Sequence, residues 1–133
     1  MKSRDTLIRL KRFQAEEKRR RVAQIEAMIA EFARMASDLD REIALEEQRS
    51  GITDMSHFAY STYARAARVR RDNLHQSTDD LRPQLVEAKA RHEEALEEFA
   101  KAQSLESREK GDRMEPPRER TDMDMIGLGA ARL

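Results

Sequence analysis

Cysteine and tryptophan are absent from the 133-residue chain, and glycine (four), proline (three), tyrosine (two) and phenylalanine (four) are scarce. Without cysteine there is no disulfide framework, no thiolate zinc site and no thiol nucleophile. Only three Val and six Ile occur, which favours helix over sheet. No apolar run approaches the roughly 18 residues that span a bilayer, and residues 1–13 lack the apolar centre of a secretion signal. Neither a membrane span nor a cleaved leader is expected, and the expected compartment is the cytoplasm.

What the chain has instead is charge. Lys and Arg number 26, Asp and Glu 26, so 39% of residues are charged at zero formal net charge, while 38% are hydrophobic. Ala, Glu, Lys, Leu and Arg together make 71 of 133 residues, a composition of long helices or coiled coil rather than of a broad core. Intrinsic disorder, the other reading of so charged a chain, requires apolar residues without a period. They have one. Val22, Ile25, Ile29, Phe32, Ala36, Leu39 and Ile43 follow at steps of 3, 4, 3, 4, 3 and 4, the seam of a coiled-coil helix.

The spacing predicts a first helix over about residues 5–49, with a separate apolar patch at Leu7, Ile8, Leu10 and Phe13 cut off from the seam by a polar stretch at 14–21. Gly51, the first glycine of the chain, marks a turn at 50–54, with Asp54 or Ser56 as the cap of a second helix. That helix, over about 55–110, repeats the period at Leu74, Thr78, Leu81, Leu85, Ala88, His92, Ala95, Phe99 and Ala102, and only Thr78 and His92 break its apolar character. Pro83 lies inside it and predicts a local kink or weakened turn. Residues 111–133, with Pro116, Pro117 and three of the four glycines, read as a flexible, mostly disordered tail, whose Met123, Met125, Ile126 and Leu128 form either a solvated end or a short docking motif.

The expected fold is all-α: a long antiparallel two-helix coiled-coil hairpin over 1–110, a rod of order 70 Å, followed by the tail. A turn near residue 52 makes contacting positions sum to roughly 104–106. Charge supports antiparallel pairing: residues 1–25 are net +6 beside 83–110 at −2, and 26–50 are −4 beside 51–82 at +1.

Chemistry has few footholds. The Gly127-Leu128-Gly129 stretch lacks a Gly-Lys-Ser/Thr continuation and a preceding strand. His57, His75 and His92 form no ligand set. Paired carboxylates such as Glu93-Glu94 and Glu97-Glu98 lie on a solvated face with no cleft to shift their pKa. No catalytic residue, metal or cofactor is expected, and the chain is read as non-enzymatic. Two features stand out. The basic run Lys18, Arg19, Arg20 and Arg21, preceded by Arg4, Arg9, Lys11 and Arg12, could meet an acidic protein surface, anionic lipid or nucleic acid; it has no interleaved aromatics, which favours the acidic protein surface. Residues 51–67 concentrate Phe58, Tyr60 and Tyr63, either covering Ile43 and the tip or exposed as anchors for a partner.

With this pattern the chain resembles the FliJ-type flagellar export proteins, soluble components of the flagellar type III export apparatus. The resemblance covers about residues 1–110 and rests on the basic start at 1–13, the size, and the hairpin with residues 51–67 and Arg70-Arg71-Asp72-Asn73-Leu74 after its turn. It implies a hairpin similar to the central stalk of rotary ATPases, inserted in the export ATPase ring, promoting ring assembly, contacting the export-gate protein and escorting export chaperones at the cytoplasmic face of the inner membrane, with peripheral membrane association through the apparatus. It would place Leu7, Leu10, Phe13 and Lys18, Arg19, Arg20 and Arg21 against the ATPase ring. Exposed side chains towards the hairpin tip, Phe58, Tyr60 and Tyr63 among them, would meet the gate. The stalk of a virulence secretion system, a coiled-coil scaffold, and a nucleic-acid binder using Arg12 and residues 18–21 are the alternative readings.

Overall fold

The computed structural model describes residues 2–114, with side chains from 3 to 111. Two helices account for most of it: α1, Lys2–Ser50, and α2, Thr62–Met114. No strand occurs among the described residues. The described residues fall into two compact units, one formed by 2–13 with 96–114 and the other by Gln14–Ala95.

The 3-4 period runs further than its apolar stretch suggests. Labelling Val22 and Ile25 as heptad positions a and d extends the register upstream through Lys18, Ala15, Lys11 and Ile8 to Arg4, and downstream to Glu46. All these seam positions of α1 are buried or half-buried except Lys18. Ala15 therefore carries the seam through the polar stretch at 14–21. In α2 the same alternation runs from Ala64 (a) and Ala67 (d) to Glu106 and Glu109, with every a and d position buried or half-buried.

In the 14–95 unit Ile25, Leu81 and Ala88 form one buried cluster, flanked by Val22, Ile29, Phe32 and Leu85. Leu39, Ile43 and Ala67 form another, flanked by Leu74. Thr78 is buried as well, and His92 half-buried. The other unit has Ile8 and Ala102 as its buried apolar residues, with Phe99 half-buried. Its helices are tied by Arg4 to Glu109 (3.6 Å), Lys11 to Glu98 (3.5 Å), and the Arg12 guanidinium over the Phe99 ring (5.4 Å).

The turn is longer than the expected 50–54. Residues 51–61 are non-helical, and neither Asp54 nor Ser56 caps α2. Ser61 does, its Oγ accepting the Ala64 N–H at 3.1 Å. Asp54 is used inside the loop, where Oδ1 accepts the Ser56 N–H at 3.0 Å, an Asx turn. The longer loop moves the centre of the hairpin: Arg71 pairs with Asp40 and Lys89 with Glu26, so facing positions are centred near residue 56 instead of 52, about a heptad further in their sum. α1 ends on Gly51, whose φ of 73° and N–H to the Glu47 carbonyl (2.9 Å) make a left-handed cap.

Pro83 does not end α2, which is helical on both sides of it. It occupies position f, on the outward face, where its ring meets solvent and not α1. Gly111 does not end α2 either, and the helix continues to Met114. The remainder of the proposed tail, with Met123, Met125, Ile126 and Leu128, lies outside the described residues.

Candidate functional site

The hairpin tip is the most elaborately built part of the surface. Its eleven residues form no regular element, so their backbone donors need side-chain partners. Ser50 Oγ accepts the Ile52 N–H (3.2 Å), Asp54 accepts both the N–H and the hydroxyl of Ser56, and His57 Nδ1 accepts the Ala59 N–H (2.9 Å). From α2, the Arg65 guanidinium donates to the Met55 carbonyl (2.9 Å) and stacks over the Tyr60 ring (5.3 Å).

Beneath the loop a closed triangle locks the helices together. Tyr60 Oη donates to Glu47 Oε2 (2.7 Å), Arg68 Nε donates to Tyr60 Oη (2.8 Å), and Arg68 Nη2 donates to Glu47 Oε2 (2.7 Å). The Arg68 guanidinium, and after it the Tyr60 hydroxyl, hold the Glu47 carboxyl below its ordinary pKa. Arg68 is raised in turn by the same two partners. Ser61 Oγ adds a hydrogen bond to Glu46 (3.2 Å).

The three tip aromatics separate cleanly. Tyr60 is 5% exposed and belongs to the core, which removes it from the partner-contacting residues expected from sequence: its ring is needed to cover the end of the seam. Tyr63 is half-exposed, and its hydroxyl donates to Glu42, raising the phenol pKa. Phe58 is 96% exposed, supported on one face only by the His57 ring, with centroids 4.8 Å apart. Met55, three residues before it, is exposed as well.

In the 2–13 and 96–114 unit, Leu7, Leu10, Phe13, Leu96 and Leu105 are all exposed. On α1, Leu7 (g), Leu10 (c) and Phe13 (f) share one outward stripe while Ile8, between them in sequence, is buried in the seam.

The basic run lies in the 14–95 unit. Arg19 and Arg20 both pair with Glu16 (2.6 and 3.5 Å), and Arg21 bonds only the neutral Gln24 (3.3 Å). Lys18, Arg20, Arg21 and Gln24 line a shallow concavity of about 560 Å³ with Glu17 and, from α2, Ala88 and Arg91. Sequence reasoning missed Arg91, whose place beside residues 18–21 depends on the register across the hairpin.

Among the described residues no group of three or more His, Asp or Glu could hold a metal ion, and no helix is long and apolar enough to cross a membrane. Neither a family model, nor a curated protein, nor a solved structure matches the chain.

Proposed function

We propose that the chain is a non-enzymatic stalk of the flagellar type III export apparatus, which binds the export ATPase ring, promotes its assembly and activity, contacts the export gate and escorts export chaperones. The observation that carries this reading is the antiparallel helix pair itself, with exposed apolar side chains at the end holding the N-terminus of α1 and an exposed aromatic at the turn. Its single seam leaves side chains such as Leu10, Phe13 and Phe58 at the surface, available to partners. Under this reading Leu7, Leu10 and Phe13, with the basic run at 18–21, meet the ATPase, and Phe58 and Tyr63 meet the gate. Localisation at the cytoplasmic face of the inner membrane follows from that assembly.

The test is a titration of the purified chain into the cognate export ATPase, following ATP hydrolysis and ring formation together. A saturable rise in both supports the stalk. No response from an ATPase shown to be active, with the chain shown to be helical, overturns it. The same experiment with a virulence-type secretion ATPase separates the two kinds of stalk.

A further inference from the structure

The two edges of the helix pair in residues 14–95 are built differently. Along the e edge the chain closes on itself: Glu47 pairs with Arg68 (2.7 Å) and Glu26 with Lys89 (3.8 Å), and the seam residue Arg71 reaches Asp40 at position e (3.0 Å). Along the g edge of residues 14–95 no ion pair joins the helices among the described residues, and the link there is the hydrogen bond from the Tyr63 hydroxyl to Glu42 beside the turn. Arg21 of α1 and Arg91 of α2, both at g and of like charge, line one concavity of about 560 Å³ together with Lys18. Lys18 has no ionic or hydrogen-bonding partner among the described residues and is the one exposed seam position of α1. One heptad on, the g position is Met28, 42% exposed. A further heptad on, Met35 lines a second concavity of about 210 Å³ with Leu74, Arg70, Asn73 and Ser77.

We propose that this g edge seats a third helix from a partner protein, an acidic amphipathic helix whose carboxylates meet Lys18, Arg21 and Arg91 and whose apolar residues lie over Met28, Met35 and Leu74. Arg91 is paired along its own helix with Glu87 (2.7 Å) while Arg21 has no carboxylate partner among the described residues, so the cation excess at this edge rests on Arg21 and Lys18, and like charges facing each other across a helix pair are unfavourable in the free protein. Acidic groups arriving from outside reverse that sign. Successive g positions are about 10 Å apart along a helix, so cations followed by two methionines match the heptad spacing of apolar anchors on a docked helix. Methionine, flexible and polarisable, suits such a groove. Nucleic acid fits less well, because a phosphate backbone needs cations repeated closely along its path, and between the basic concavity and Arg70 this edge presents Met28, Met35 and Ser77 instead. Ala88 at the floor of the basic concavity lets a third backbone come close. The inference is independent of the export reading and holds for any partner carrying such a helix.

The probe is a fluorescein-labelled helical peptide of about 25 residues, long enough to span the edge, with Glu clustered in one terminal heptad and Leu and Met at a and d elsewhere. It is titrated with the full chain and followed by anisotropy. Saturable binding is expected, weakened at least about tenfold by Arg21→Glu with Arg91→Glu, and measurably by Met28→Ser. Arg34→Glu with Arg82→Glu, the same charge change on exposed positions off this edge, should change it less than about twofold. No saturation, or equal loss in the two double variants, overturns the proposal. So does tighter binding of a single-stranded oligonucleotide of similar length, which would assign the edge to nucleic acid. Sedimentation showing a dimer that dissociates in Arg21→Glu with Arg91→Glu would give the edge to a second copy of the chain, again against a partner helix. Apart from any ligand, Arg21→Glu alone should raise the melting temperature by placing a carboxylate opposite Arg91, and a fall would refute the like-charge argument.

Discussion

Phe58 and Tyr60 stand two residues apart on the same loop and should respond oppositely to the same substitution. An aromatic side chain carries about 200 Å² of surface, worth about 25 cal/mol per Å² when withdrawn from water. Tyr60, 5% exposed, withdraws nearly all of it, roughly 4–5 kcal/mol as an upper value. It also donates to Glu47, accepts from Arg68 and lies under Arg65. Phe58, 96% exposed, withdraws a few per cent, or about 0.2 kcal/mol. Tyr60→Ala should therefore lose about 3–5 kcal/mol, and Phe58→Ala less than about 0.5 kcal/mol. Urea titration of the full chain, followed by far-ultraviolet helicity, measures both. Under the proposed stalk reading the order should reverse for Phe58 in a titration against the purified export-gate protein. If its ring is an anchor, Phe58→Ala should weaken the complex by at least about 2 kcal/mol, some thirtyfold, with helicity unchanged. A loss of more than about 1 kcal/mol of folding stability in Phe58→Ala would refute the assignment of the ring to the surface.

Three further outcomes follow from the fold. Pro83→Ala should stabilise the chain by about 1–3 kcal/mol, because alanine restores a helix hydrogen bond at an outward position where nothing is lost; a melting temperature no higher than the parent's would count against it. Gly51→Ala should cost about 1 kcal/mol, since φ of 73° burdens any Cβ although nothing lies within 4 Å of it, and Gly51→Asn should cost less; equal stability for glycine and alanine in urea titration would contradict the left-handed cap. Glu47 has a folded pKa below its ordinary 4.5, so its contribution is present above the unfolded value and is lost as pH falls through the lower folded one. Thermal melts from pH 7 down to pH 3 should show that loss in the parent and a flatter profile in Glu47→Gln, and parallel profiles would sink the assignment.

The helical class and the seam were legible because one signal dominates a two-helix protein: apolar residues alternating by 3 and 4 have nowhere else to go. From Val22 to Ile43 and from Leu74 to Ala102 every expected seam residue is buried or half-buried. What misled was polarity at seam positions. Lys11 and Arg4 occupy d, half-buried, because a long aliphatic stem can lie along the partner helix while its charge reaches Glu98 or Glu109 at the margin. Read as hydrophobicity alone, they break a pattern that the backbone continues. The turn failed for a related reason. Asp54 and Ser56 are good helix caps in isolation, and so is Ser61; only the aromatic ring of Tyr60, packed under the loop and bonded to Glu47, selects the last of them. That choice moved the cross-helix register by about a heptad, and with it the pairing of Arg91 with the basic run, which no local pattern announces.

The distribution of apolar surface gives the two units different physical tasks. In the 14–95 unit the seam holds Ile25, Leu39, Ile43, Tyr60 and Leu81 out of water, and the tip is bound by its own hydrogen bonds, so a partner there meets a preformed surface and little ordering opposes binding. The unit formed by 2–13 and 96–114 is the reverse. Among the described residues its buried apolar ones are Ile8 and Ala102, while Leu7, Leu10, Phe13, Leu96 and Leu105 stay exposed. Its two cross-helix ion pairs, at 3.5 and 3.6 Å between partly exposed groups, contribute no more than about 1 kcal/mol each. A segment so composed has more apolar area to gain from a partner than from its own helix pair, and association there should be coupled to consolidation of the helices themselves. Under the proposed stalk reading, ring assembly should depend on the exposed leucines and Phe13 more than on the basic run at 18–21, because the arginines at 19 and 20 are already engaged with Glu16 and charge at an exposed rim governs encounter more than residence.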